Sequence, residues 1–261
     1  MKKYLRVIIK CLPLLIWSYG WIFRYSRHPE KYDLNLRFRK VQNLIKKVLD
    51  AFNVRYEKYN FDSLQSNCAI DNPNLFVCNH ISDIDPLVFI ALANRPIAVV
   101  AKKEIKSYPF VGRVITILNG VFLDREDLKQ SLRIFKEIGN TMNEIKTMDW
   151  LIFPEGTRNK IDPTDTKPFH YGTFKPAMKN MLNINVFSIL GSQRALNYKC
   201  KNKINPVFIK YNSTLKYDYY KDMKTVELSE EAYKICRAGV QSLIQDDKDL
   251  LIKYNKKELM S

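Results

Sequence analysis

Apolar and polar positions change rhythm twice along this chain. Residues 11–23 form a charge-free run rich in Leu, Ile and aromatic side chains. From Phe38, apolar residues recur at three- and four-residue spacing through Val41, Leu44, Ile45, Val48, Leu49 and Phe52. That stripe predicts an amphipathic helix over about 33–52. Beyond Tyr56, short apolar runs alternate with longer helical stretches. Runs at 75–78, 97–101, 121–123, 150–153, 186–190 and 207–211 read as strands. Helical patterns lie near 86–93, 110–118, 127–147 and 174–182, and the charged, weakly periodic tail 243–259 reads as a surface helix. Such alternation predicts an α/β fold, with a mixed, largely parallel sheet flanked by helices.

The first run is flanked by Lys2, Lys3, Arg6 and Lys10 on one side and by Arg24, Arg27 and His28 on the other. Its thirteen residues fall short of the about 20 that a comfortable membrane span needs. A signal peptide would begin the same way, but 25–28 offers no small-residue cleavage site. The expected element is a retained helix lying in or dipping into a membrane, with Trp17, Tyr19 and Trp21 at the interface. The second helix either packs on the core or pairs with the first as a basic, membrane-binding hairpin, with Pro29 in the turn between them.

Composition narrows the partners. A chain of 261 residues, 46% apolar, can bury one sizeable core. Its net charge of +16 calls for an anionic partner: nucleic acid, an anionic membrane surface or a phosphorylated substrate. No nucleic-acid-binding motif accompanies that charge, so membrane and phosphate are the expected partners. The five cysteines (Cys11, Cys68, Cys78, Cys200 and Cys236) show neither CxxC nor metal-like spacing, which suits reduced thiols in an intracellular compartment and predicts no metal site.

The candidate chemistry sits where strands end. His80 and Asp85 follow the run at 75–78, Lys102 and Lys103 the next, Asp124 and Arg125 the third, and Glu155 and Arg158 the fourth. In a parallel sheet these loops converge on one edge, placing cations around one imidazole. Asp85 reads as the N-cap of a helix with Pro86 at its first position. A neutral imidazole held by a carboxylate is a general base near neutral pH. In Phe153-Pro154-Glu155-Gly156-Thr157-Arg158, Gly156 permits close backbone approach, Arg158 suits bidentate phosphate binding, and Glu155 fixes Arg158 or accepts from a hydroxyl. Asp83 competes with Asp85 as the carboxylate. Ser82 lacks a nucleophile elbow and reads as a loop or capping serine, Cys78 as a core thiol, and His28 and His170 as surface or packing residues.

The block Asn79-His80-x4-Asp85-Pro86, followed by Phe153-Pro154-Glu155-Gly156-Thr157-Arg158, resembles the 1-acyl-sn-glycerol-3-phosphate acyltransferase family, bacterial type. Supporting stretches are Ala101-Lys102-Lys103-Glu104, Val121-Phe122-Leu123-Asp124-Arg125 and 169–175; the likeness covers roughly 74–190. It implies transfer of a fatty acyl chain from acyl-carrier protein or coenzyme A to the sn-2 hydroxyl of lysophosphatidic acid, with no further cofactor. His80 and Asp85 would be catalytic; Lys102, Lys103 and Arg125, with Glu155, Gly156, Thr157 and Arg158, would contact phosphate and glycerol. The chain then divides into an anchor, 1–55, and a catalytic domain, 56–261, on the cytoplasmic face of the cell membrane. Another lysophospholipid or glycerol 3-phosphate is the alternative acceptor. A non-enzymatic basic membrane- or nucleic-acid-binding protein is the other class, disfavoured because binding alone needs no poised base. Two departures stand out. Asn119 replaces a glycine six residues before Arg125, and the apolar block 184–190 lacks the family's prolines.

Overall fold

The computed structural model describes residues 2–69, 71–124, 127–197 and 202–255. Helices α1 (Lys2–Arg27) and α2 (Leu34–Ala51) lead, joined by a short 3₁₀ turn at Pro29–Lys31. Asp33 caps α2 by accepting the Leu36 N–H at 2.9 Å. There follow β1 (Val54–Tyr59), α3 (Phe61–Asn67), β2 (Leu75–Cys78), α4 (Asp85–Leu92), β3 (Ile97–Lys102) and α5 (Val111–Ile117). The middle of the chain supplies β4 (Val121–Leu123), α6 (Leu128–Glu144), β5 (Asp149–Ile152) and α7 (Lys175–Lys179). Last come β6 (Ile184–Leu190), α8 (Gln193–Leu196), β7 (Asn205–Leu215), α9 (Tyr217–Tyr220) and α10 (Thr225–Asn255).

One seven-stranded sheet has the order β1-β7-β6-β2-β5-β3-β4. Every neighbouring pair is parallel except β6 with β7. The loops after β2, β3, β4, β5 and β6 therefore leave at the same edge, as the strand-end argument requires. Both faces are covered, so the central strands β6, β2 and β5 are buried throughout and mostly apolar, and alternate residues serve opposite layers. Leu75, Val77, Trp150 and Ile152 join the core beneath α6, α7 and α10, while Phe76, Cys78 and Leu151 join the core beneath α1, α2 and α4.

Several elements differ from expectation. β1 carries only one buried residue, Val54, among charged neighbours, so its sequence lacks a strand signature; it begins inside the segment assigned to the anchor. The tail helix starts at Thr225, far ahead of residue 243, and buries Leu228, Ala232, Cys236, Val240 and Leu243 against the sheet. On α2 the apolar stripe is consumed by the core: Phe38, Val41, Leu44, Ile45 and Leu49 are all buried, which leaves it unavailable to a membrane. Arg37 is buried too, donating to the Ile117 and Tyr32 carbonyls and to Asn119 Oδ1. Asn119 itself has φ +56°, a left-handed conformation that Asn tolerates, which explains how it stands in for glycine.

Helix α1 has two apolar faces. Cys11, Ser18, Ile22 and Tyr25 lie buried on one, while Ile9, Leu12 and Ile16 project from the other at three- and four-residue spacing. Trp17 beside them is 76% exposed. Trp21, expected at an interface, instead packs edge-on against Tyr25 and is half-buried. Among the described residues, no helix is long and apolar enough to cross a membrane.

Candidate active site

The site is assembled at the ends of β2, β5 and β6. β2 stops at Cys78, but the Asn79 side chain prolongs its pairing with β6. Its amide donates to the Ile189 carbonyl at 2.9 Å and accepts the Ile189 N–H at 2.8 Å. Asn79 is fully buried, so the residue that follows it leaves the sheet from a fixed point. That residue is His80.

His80 Nδ1 lies 2.7 Å from Asp85 Oδ2. The same oxygen accepts the backbone N–H groups of Ile81 and Ser82, each at 2.8 Å. Asp85 is thus a hub for its own loop rather than an N-cap; it is the first residue of α4, and Ile84 precedes it at the cap without a side-chain bond. A carboxylate oxygen can only accept, so the contact requires a proton on Nδ1 and leaves Nε2 its lone pair. Phe153 stacks on the imidazole at 4.3 Å between centroids, fixing the ring plane. The other Asp85 oxygen, Oδ1, accepts from Ser192 Oγ, a partner that sequence reasoning missed. Its only signal was a polar residue directly past the Gly191 that ends an apolar strand. Ser82 Oγ accepts the Ile84 N–H, matching its reading as a loop serine.

The loop after β5 braces this one. Glu155 is 2% exposed and turned inward, its Oε1 accepting the His80 N–H at 2.7 Å and its Oε2 the Lys167 N–H at 3.3 Å. It neither fixes Arg158 nor faces a substrate hydroxyl, contrary to expectation, because the chain places it beneath the His80 loop. Burial pushes its carboxyl up to about 7, against the lowering effect of those N–H groups and of the Lys167 ammonium. The Asn159 N–H donates to the His80 carbonyl, a second tie between the loops. Gly156 has φ +68°, and a Cβ there would meet the His170 ring at 2.8 Å; its freedom serves this turn and that close approach.

Arg158 Nη1 donates to Asp83, so the guanidinium rests over the loop that carries His80. Thr157 beside it is exposed. Lys103 Nζ holds Asp124 at 3.1 Å, joining the ends of β3 and β4, and that carboxylate raises the affinity of Lys103 for its proton. Lys102 pairs with Glu104 at 3.0 Å. Both lysines are exposed on the strand-end edge, and no described contact brings either to His80. Arg125 and Cys200 lie outside the described residues. Cys78 is fully buried and desolvation drives its thiol well above its ordinary range, which fits a core role.

Behind the imidazole runs an aromatic layer, Phe153 to Phe89 to Phe187, with centroids 6.3 and 5.2 Å apart. Beyond it is a cavity of about 270 Å³ lined by Phe61, Leu64, Phe76, Phe89, Leu92 and Phe187, among others. Among the described residues, no group of three or more His, Cys, Asp or Glu side chains is placed to hold a metal ion.

With this geometry in place, the chain is similar to several acyltransferases. The 1-acyl-sn-glycerol-3-phosphate acyltransferase of Cocos nucifera is 29% identical over 154 residues, 58% of this chain and 48% of that protein. The protein of the same name from Borreliella burgdorferi is 33% identical over 106 residues, 41% of each chain. The matched part thus spans about half the length of these relatives or less. The probable enzyme of that name from Mycoplasma genitalium is 25% identical over 227 residues, 85% of this chain and 81% of its own. In fold, the crystal structure of the 1-acyl-sn-glycerophosphate acyltransferase from Thermotoga maritima superposes with a TM-score of 0.67 at 21% identity, over 92% of this chain and 97% of that one. The family model described as Acyltransferase matches residues 55–192, the stretch from β1 to Ser192 that contains the whole site, and the chain belongs to that family.

Proposed function

We propose that this protein transfers a fatty acyl chain from an acyl thioester, carried by acyl-carrier protein or coenzyme A, to the sn-2 hydroxyl of lysophosphatidic acid. The observation that carries the reading is the His80–Asp85 pair, whose carboxylate is wholly buried and whose imidazole presents Nε2 at the strand-end edge. His80 Nε2 takes the acceptor hydroxyl proton as that oxygen attacks the thioester carbonyl carbon. Asp85 stabilises the imidazolium that forms. The tetrahedral intermediate then collapses, the carbon–sulfur bond breaks, and the imidazolium returns its proton to the departing thiolate. The products are phosphatidic acid and a free thiol, with no cofactor beyond the donor. This is triad logic with the substrate's own hydroxyl in place of a protein serine.

Arg158, with Lys102, Lys103 and Arg125, would hold the phosphate and so place the hydroxyl. The aromatic layer and the cavity behind it offer an acyl tail an apolar environment. The outward face of α1, with Ile9, Leu12, Ile16 and Trp17, would rest in the bilayer that supplies the acceptor and holds the product. The net charge of +16 favours an anionic, cytoplasmic-type leaflet. Purified protein given a thioester of acyl-carrier protein or coenzyme A radiolabelled in its acyl chain, against a panel of lysolipids and glycerol 3-phosphate, tests the reading. It requires preferential labelling of phosphatidic acid; labelling of another lysolipid or of glycerol 3-phosphate alone would replace the acceptor.

A further inference from the structure

We propose that Ser192 is a positioning residue for the His80–Asp85 pair, acting through the second carboxylate oxygen. The idea rests on the acyl-transfer reading for its kinetic test and on geometry for everything else. Asp85 divides its donors unevenly: Oδ2 accepts from His80 Nδ1, Ile81 N and Ser82 N, while Oδ1 accepts from Ser192 Oγ. Both Asp85 and Ser192 are 0% exposed, so bulk water cannot replace a lost hydroxyl. A carboxylate held at both oxygens cannot rotate about its bond to Cβ. Without Ser192, Oδ1 is a buried charged acceptor short of a donor, and the carboxylate turns to find one. The lone pair that faces Nδ1 then moves away just when the imidazolium needs it.

Ser192 is itself firmly mounted. Gly191 has φ +91°, and a Cβ there would meet Arg194 Nη2 at 1.9 Å and the Pro206 carbonyl oxygen at 2.6 Å, so the turn admits only glycine. Arg194 pairs in turn with Asp247 on α10, its Nη1 donating at 2.8 Å, and both side chains are largely buried. Two residues before Gly191, Ile189 is clamped by Asn79. The end of β6 therefore holds both the backbone from which His80 departs and the carboxylate that orients it. Other charged or titratable groups face this pair: Glu155 from the β5 loop, Cys78 from β2, and the Asp83–Arg158 couple at the rim.

Ser192→Ala in the full chain removes one oxygen and adds no volume. The expected result is a kcat about 10- to 100-fold lower with acceptor KM within about twofold, since only alignment is lost. The downfield proton resonance of the His80 Nδ1–H, assigned by its loss in His80→Ala, should move upfield or broaden, and the acid limb of kcat/KM should shift. Ser192→Thr, which keeps the hydroxyl, should retain the resonance. An unaltered resonance and kcat in Ser192→Ala would overturn the proposal, and so would a fall in kcat with an unaltered resonance, which would mark a purely structural role. The spectroscopic arm needs no substrate. If the wild-type protein acylates none of the acceptors, the function fails while the positioning claim is still decided by the resonance.

Discussion

Arg158 reaches from the loop after β5 to donate to Asp83, which lies between His80 and Asp85 in the chain. The arrangement has a cation bound to a local carboxylate where the proposed substrate brings a phosphate. A phosphate must therefore share or displace Asp83, and the guanidinium fork suits that exchange.

Replacing Arg158 with Ala should raise KM for lysophosphatidic acid by roughly 10- to 100-fold, the worth of a charge-assisted hydrogen bond, with a smaller effect on kcat. Arg158→Lys should recover only part, because an ammonium cannot make the bidentate contact. Steady-state kinetics at fixed ionic strength decide it. Unchanged KM in both variants would leave Arg158 as a brace for the His80 loop and nothing more.

Removing the imidazole tests the chemistry directly. His80→Ala should lower kcat at least about 10³-fold while leaving the fold intact, because Asp85 Oδ2 keeps the Ile81 and Ser82 N–H donors when the ring stacked on Phe153 is removed. Asp85→Asn should be as inactive and also less stable by about 2 kcal/mol, since an amide nitrogen would face donors that now meet a carboxylate. Circular dichroism melts beside the activity assay separate the two effects. Near-normal turnover in His80→Ala would end the general-base mechanism.

The legible part of this molecule is the part written in local pattern. The strand runs, the helix from Asp33 and the His80 and Glu155 blocks could be placed because apolar periodicity and turn residues mark them. Partners distant in sequence were hidden. Ser192 meets Asp85 across 107 positions and Asn79 meets Ile189 across 110, and both pairs exist only because β2 and β6 are neighbours in the sheet. Glu155 misled for a related reason: a carboxylate beside an arginine suggests an ion pair, yet the turn at Gly156 sends it inward to backbone N–H groups. β1 failed as a pattern because an edge strand with charged neighbours needs little apolar content.

Asn79 should matter to stability as much as to activity. Asn79→Ala loses both bonds to Ile189 and strands a buried N–H and a buried carbonyl, a cost of about 2–4 kcal/mol. Asn79→Asp should be worse, since its carboxylate would oppose the Ile189 carbonyl. Urea unfolding followed by Trp fluorescence, with Trp150 wholly buried as one reporter, measures the shift. A midpoint unchanged in Asn79→Ala would mean that the prolonged pairing contributes nothing.

Glu155 gives stability a dependence on pH with a definite sign. Its carboxyl is raised to about 7 in the folded chain, so the folded state binds a proton that the unfolded chain releases near its ordinary value of 4.5. That contribution is complete below about 4.5 and is lost as pH rises through about 7, at most roughly 3 kcal/mol over the window. Glu155→Gln should therefore flatten the decline in stability between those pH values, although it also loses one acceptor for the Lys167 or His80 N–H. Identical pH slopes in the two proteins would show that Glu155 does not titrate in this range.

The outward face of α1 should decide attachment to lipid. Ile9, Leu12 and Ile16 form one stripe, 61%, 52% and 65% exposed, with Trp17 beside it under Lys47. The opposite side of the helix, including Ile22 and Tyr25, is already committed to the core, so substitutions on the stripe leave folding alone. At about 25 cal/mol per Å² of apolar surface, Ile16→Ser with Trp17→Ser should remove roughly 2–4 kcal/mol of partitioning, a loss of about 30- to 1,000-fold in vesicle affinity. The buried stripe of α2 predicts the converse. Val41→Ser should lower the melting temperature and change vesicle binding only through unfolding. High salt should weaken the wild-type protein's binding to anionic vesicles without abolishing it, because apolar burial is not screened. Full release by salt, or unchanged binding in the double variant, would mean that charge alone holds the protein at the surface and that this face of α1 does not enter the bilayer.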